Sequence, residues 1–107
     1  MNPKIAIDPK VTTLVNTLTV DPANQQELLD LLSENTNKVI TTLDGWISTS
    51  FLVASDHTRV MIYSQWRDLA AVQAMQAHPE MRACFPRILA LAKLDSFAAE
   101  VVYSHHA

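Results

Sequence analysis

The stretch that decides the fold is Arg59 to Met75, RVMIYSQWRDLAAVQAM. It reads as a strand closing on Trp66, a polar turn at Arg67-Asp68, and the opening of a helix. Side chains alternate faces along a strand. Val60, Ile62, Ser64 and Trp66 therefore share one face, and Arg59, Met61, Tyr63 and Gln65 the other. Asp68 suits an N-cap, because a carboxylate there accepts the free backbone N–H groups of the first helical turn. A large aromatic at a strand end, just ahead of a helix that folds over it, lines either core or pocket.

Upstream, VTTLVNTLTV at 11–20 is β-branched and reads as a strand. Leu14, Asn16, Leu18 and Val20 fall on one face of it. Asn16 is the odd residue on that apolar face, and a buried amide must find partners or cost roughly 1–3 kcal/mol. Asp21-Pro22 opens a helix expected to run to Thr42, with an apolar stripe of Leu28, Leu29, Leu32, Val39, Ile40 and Leu43. Glu27, Asp30, Glu34 and Lys38 belong to its solvated side. Gly45 suits a left-handed cap before a second strand, Trp46 to Ala54. A four-residue loop, Ser55 to Thr58, joins it to the strand that ends at Trp66.

Downstream, the helical pattern from Asp68 to Ala77 carries Leu69, Val72 and Met75 and breaks at His78-Pro79. A second helical piece follows, in which Pro86 is expected to produce a kink or a break. Ser96 to Tyr103 reads as the last strand. The first ten residues, with Pro3 and Pro9, form an arm, and residues 105–107 form a tail with the adjacent His105 and His106. Residues 11–104 make one domain.

Composition narrows the function. The 107 residues are 49% apolar with a net charge of −3, a globular balance without a basic run for nucleic acid. No apolar stretch is long enough for a membrane span and no leader pattern opens the chain, so the expected compartment is the cytoplasm. Cys84 stands alone, which excludes an internal disulfide and a cysteine-cluster metal site. Gly45 is the only glycine, so a glycine-rich phosphate loop is absent.

The element order β-α-β-β-α-β gives an α+β, ferredoxin-like fold, a four-stranded antiparallel sheet with its helices on one face. The open face would carry Val15, Ile47, Phe51, Val53, Met61 and Tyr63. A face that apolar marks an interface, and a symmetric homodimer with two sheets face to face is expected.

This architecture, with YSQW closing the third strand, WRDLAAVQAMQAHP opening the long helix and DPAN starting the first, resembles the antibiotic biosynthesis monooxygenase family of dimeric α+β barrels. The resemblance covers about Lys10 to Tyr103. It implies a pocket between sheet and helices, and oxygenation of a small phenolic, quinol or anthrone compound by O2 with no metal, flavin or haem. Trp66 falls on the family's pocket tryptophan and Asn16 on a first-strand asparagine. Ile62, Leu52 and Val72 stand where members carry polar pocket groups. A haem-degrading branch exists, but its tryptophan and ligand positions fall here on Met75 and Phe85.

On this reading Asn16, Trp66 and His78 are the catalytic candidates. Asn16 would hold a developing oxyanion, Trp66 would offer its indole N–H or stack on the ring, and His78 would serve as base if it faces the pocket. Leu14, Leu18, Leu52, Ile62, Val72 and Met75 would form the substrate wall. Two other functions fit the same fold: a non-catalytic dimeric small-molecule-binding or stress-related module, and a lyase or isomerase of small carbonyl compounds.

Overall fold

The computed structural model describes residues 11–105 and 107; the expected arm at 1–10 and His106 lie outside the described residues. Four strands, β1 (Thr12–Val20), β2 (Trp46–Val53), β3 (Arg59–Trp66) and β4 (Ala92–Ala99), form one antiparallel sheet in the order β2-β3-β1-β4. Helix α1 (Gln25–Lys38) links β1 to β2, while α2 (Leu69–Ala77) and α3 (Pro79–Leu91) link β3 to β4. This is the ferredoxin-like arrangement the element order predicts.

The helix starts follow the expected chemistry. Asp21 accepts the Ala23 amide at 2.9 Å and Asp68 accepts the Ala71 amide at 2.8 Å. The first helix is less uniform than its pattern suggests. Single 3-10 turns at Pro22–Asn24 and Ile40–Thr42 flank α1, which buries Leu28, Leu31 and Leu32. Pro86 sits inside α3 without dividing it. The proline forfeits one backbone bond, but Met81, Cys84 and Ile88 on either side are buried, and that packing carries the helix through.

Two expectations change. The last strand runs from Ala92 to Ala99 rather than from Ser96 to Tyr103, because its pairing with β1 begins at Ala92 opposite Val20 and ends at Ala99 opposite Thr13. Phe97 thereby lies opposite Val15 on the open face.

The second change concerns β2. Trp46 pairs with Trp66 but Ser48 pairs with Gln65, so one residue is extra between them. Such a bulge shifts the two-residue alternation of everything that follows. Thr49, Phe51 and Val53 consequently oppose Ser64, Ile62 and Val60, the helix-side residues of β3. Phe51 packs against the core cluster that contains Leu18 and Val60 rather than on the open face, and Leu52, paired with Met61, is turned outward and 52% exposed.

Beneath the helices the packing falls into two clusters. One gathers Leu18, Val20, Leu28, Leu32, Val60 and Ile88; the other gathers Leu14, Ile40, Trp66, Val72, Met75 and Met81. Fully burying a leucine or methionine contributes roughly 1.5–3 kcal/mol, so both halves are anchored. The sheet and helices are held apart between them.

Candidate active site

A cavity of about 340 Å³ occupies that gap. Its floor is the helix side of the sheet: Leu14, Asn16 and Leu18 of β1, Ile62, Ser64 and Trp66 of β3, Thr49 of β2, and Leu94 and Ser96 of β4. Its roof is Leu32, Asn35 and Thr36 of α1, with Met75 and Gln76 of α2 and Met81, Phe85 and Ile88 of α3. Both core clusters contribute walls, so the cavity is where the apolar interior was left unfilled.

Asn16 lies midway along β1, opposite Ile62 on one side and Ser96 on the other. Among the described residues its side-chain amide has no hydrogen-bond partner, although the residue is half-buried. An amide in that position gains from an occupant that can hydrogen-bond. Trp66 is 1% exposed, and its Nε1 donates to Ser64 Oγ at 3.0 Å. Its N–H is therefore engaged, and what it presents to the cavity is indole surface. Trp46 does likewise, donating from Nε1 to Thr49 Oγ1 at 2.9 Å. In the roof, Asn35 Nδ2 lies 3.2 Å from Met81 Sδ and ties α1 to α3.

Leu14, Asn16, Leu18, Ile62, Trp66 and Met75 thus border one cavity, while three other candidates lie elsewhere. Leu52 is turned outward by the bulge. Val72 is buried inside the second core cluster, below the cavity wall. His78 joins the two helices: its backbone N–H closes α2, and its Nδ1 accepts the Glu80 amide at 3.2 Å to start α3. A ring nitrogen spent as a helix cap is not aimed into the cavity, and His78 is absent from its lining.

Several lining residues escape a strand-by-strand reading. Asn35 and Thr36 follow Leu32 by three and four positions, so polar residues on the buried stripe were the available signal. Thr49 carried no such signal, since the bulge alone brings it inward.

None of the described side chains lining the cavity ionises near neutral pH. Cys84 sits in the core beside it, and burial pushes its thiol up, away from the reactive thiolate. Among the described residues, no group of three or more His, Cys, Asp or Glu side chains could hold a metal ion, and no helix is long and apolar enough to cross a membrane. The walls can enclose a flat apolar ring system, and the polar atoms can donate to its oxygens.

The family model for antibiotic biosynthesis monooxygenases matches residues 12–87. The chain belongs to that family. It is 33% identical over 100 residues to the tetracenomycin-F1 monooxygenase of Streptomyces glaucescens, covering 94% of this chain and 89% of that one. Two crystal structures share the fold. A monooxygenase of Streptomyces coelicolor in complex with nanaomycin D has a TM-score of 0.83 at 23% identity, over 94% of this chain and 96% of the other. SnoaB of Streptomyces nogalater, a cofactor-independent oxygenase, has a TM-score of 0.75 at 18% identity, over 89% and 96%. Family membership makes this chain an oxidoreductase of the monooxygenase class.

Proposed function

We propose that this family member oxygenates a fused-ring phenol, quinol or anthrone with O2, without metal, flavin or haem, inside the cavity between sheet and helices. One observation carries the reading: an uncharged, apolar-walled cavity into which an unpartnered amide, Asn16, projects. For an anthrone methylene the balance is CH2 + O2 → C=O + H2O. The substrate supplies all the electrons, one oxygen atom enters it, and the other leaves as water. Oxygen reacts slowly with neutral organic molecules, so the protein must favour the substrate anion.

None of the described lining side chains can take the proton, so it passes to solvent or buffer and the substrate's own acidity governs ionisation. Asn16 then donates to the oxyanion, and exclusion of water strengthens that bond. Trp66, Ile62 and Met75 hold the ring flat. The proposal includes a cytoplasmic homodimer. Exposed Leu52, Met61 and Phe97 and half-buried Tyr63, all on the open sheet face, support pairing with a second copy.

The test is oxygen uptake by chelator-treated, flavin-free protein against a panel of anthrones and quinols that includes tetracenomycin F1, the compound named for the S. glaucescens relative. One atom of labelled O2 should appear in the product. The rate should rise with pH through the substrate's ionisation, and that rising, acid-side limb should move with the acidity of the substrate chosen. Strict dependence on added flavin, haem or iron sinks the proposal.

A further inference from the structure

We infer that the Thr49 hydroxyl is a second donor to substrate oxygen and that Trp46 is the residue that positions it; this rests on the oxygenase reading above. In a regular strand residues three apart point to opposite faces. The bulge between Trp46 and Ser48 puts Trp46 and Thr49 on the same face, where the indole Nε1 donates to Thr49 Oγ1 at 2.9 Å. Across the strand pair Thr49 faces Ser64, which accepts the Nε1 of Trp66 at 3.0 Å. Two tryptophans thus hold two neighbouring hydroxyls on the cavity floor.

The two hydroxyls differ in where their protons go. Ser64 Oγ has a backbone acceptor, the Leu14 carbonyl, at 3.5 Å. The Thr49 hydroxyl has no acceptor among the described residues, and Thr49 borders the cavity on one side and a shallow depression beside Ser33 and Phe51 on the other. With its oxygen lone pair engaged by the indole, the hydroxyl is fixed in place and made a stronger donor. Its hydrogen is left for whatever occupies the cavity.

Asn16 and Thr49 stand on strands separated by β3, roughly 10 Å apart across the sheet by ordinary strand spacing, and are offset along it. They therefore hold different oxygens of one ligand. A substrate with oxygen functions well apart on a fused-ring frame fits such a pair.

Two readouts test this: turnover on the best substrate of the panel, and equilibrium binding of nanaomycin D followed by quenching of intrinsic fluorescence. Thr49→Val should lower kcat/KM and weaken binding about 10- to 100-fold, the effect of one lost donor to a charged or developing oxyanion. Thr49→Ser should keep most of both. Trp46→Phe should cost less. Its loss should vanish when Thr49 is already valine, because the indole acts through the hydroxyl.

The losses from Thr49→Val and Asn16→Ala should multiply, as expected for separate oxygens. Thermal melts identify any variant that fails to fold, and Thr49→Ala then replaces Thr49→Val. Wild-type binding and turnover in Thr49→Val overturn the inference, as does an undiminished Trp46→Phe loss in the Thr49→Val background. If wild type takes up no oxygen but the binding pattern holds, the oxygenase reading fails and the Thr49 donor stands.

Discussion

Asn16 brings a polar group to an otherwise apolar strand face. Among the described residues its half-buried amide has no hydrogen-bond partner, so on the cavity floor it is available to an occupant. Asn16→Ala should lower turnover roughly 10- to 1000-fold, the range for removing one oxyanion donor, while leaving the melting temperature unchanged or higher. His78→Ala should do the reverse. It removes the cap of α3, costing about 0.5–2 kcal/mol of stability, and should spare the rate. Oxygen-electrode kinetics beside thermal melts separate the two; an Asn16→Ala enzyme with wild-type turnover removes Asn16 from the mechanism. Asn16 could be picked out by its place on an apolar strand face, a pattern readable in one dimension. The use of His78 could not, since a histidine at a helix break is equally a cap, a base or a surface residue until the ring is seen accepting the Glu80 amide.

Among the elements, the turn into β2 is a tight joint. Gly45 has φ +86°, and a Cβ there would meet the Ala71 Cβ at 2.6 Å. Arg67 strengthens the same joint, donating its backbone N–H to the Gly45 carbonyl at 2.7 Å and its guanidinium to both Asp44 oxygens at 3.0–3.1 Å. Gly45→Ala combines backbone strain with a clash and should cost about 1–3 kcal/mol, measured by urea unfolding. An unchanged midpoint would show that α2 can shift to make room. Strand and helix identities were readable here because caps, turn residues and period all agreed. The start of β4 was not, because a strand directly following a helix has no turn residue to announce it. Pro86 does not divide α3 for the opposite reason: a strong local breaker is overridden by burial of the residues around it.

For the molecule as a whole, the sheet has one committed face and one that water should not keep. Tyr63, Val15 and Phe97 form one row across that side, where Val15 is already buried within the chain, as are Thr13 and Gln65 near it, and Met61 and Leu52 belong to the next row. Tyr63→Glu should convert the proposed dimer to monomer in sedimentation, because it would bury an unpaired charge; a wild-type monomer at micromolar concentration would remove the dimer altogether. Phe51, which the simple alternation puts in that interface, should instead behave as a core residue. The difference comes down to one residue near Ile47. A strand has a reading frame of two, and the bulge acts in β2 as a single-letter insertion acts in a coding message: every later residue keeps its identity and changes its meaning. Site residues carried from one member of the family to another across this strand must therefore be matched by parity as well as by position. Two chains that align without a gap can still present opposite halves of β2 to their substrates.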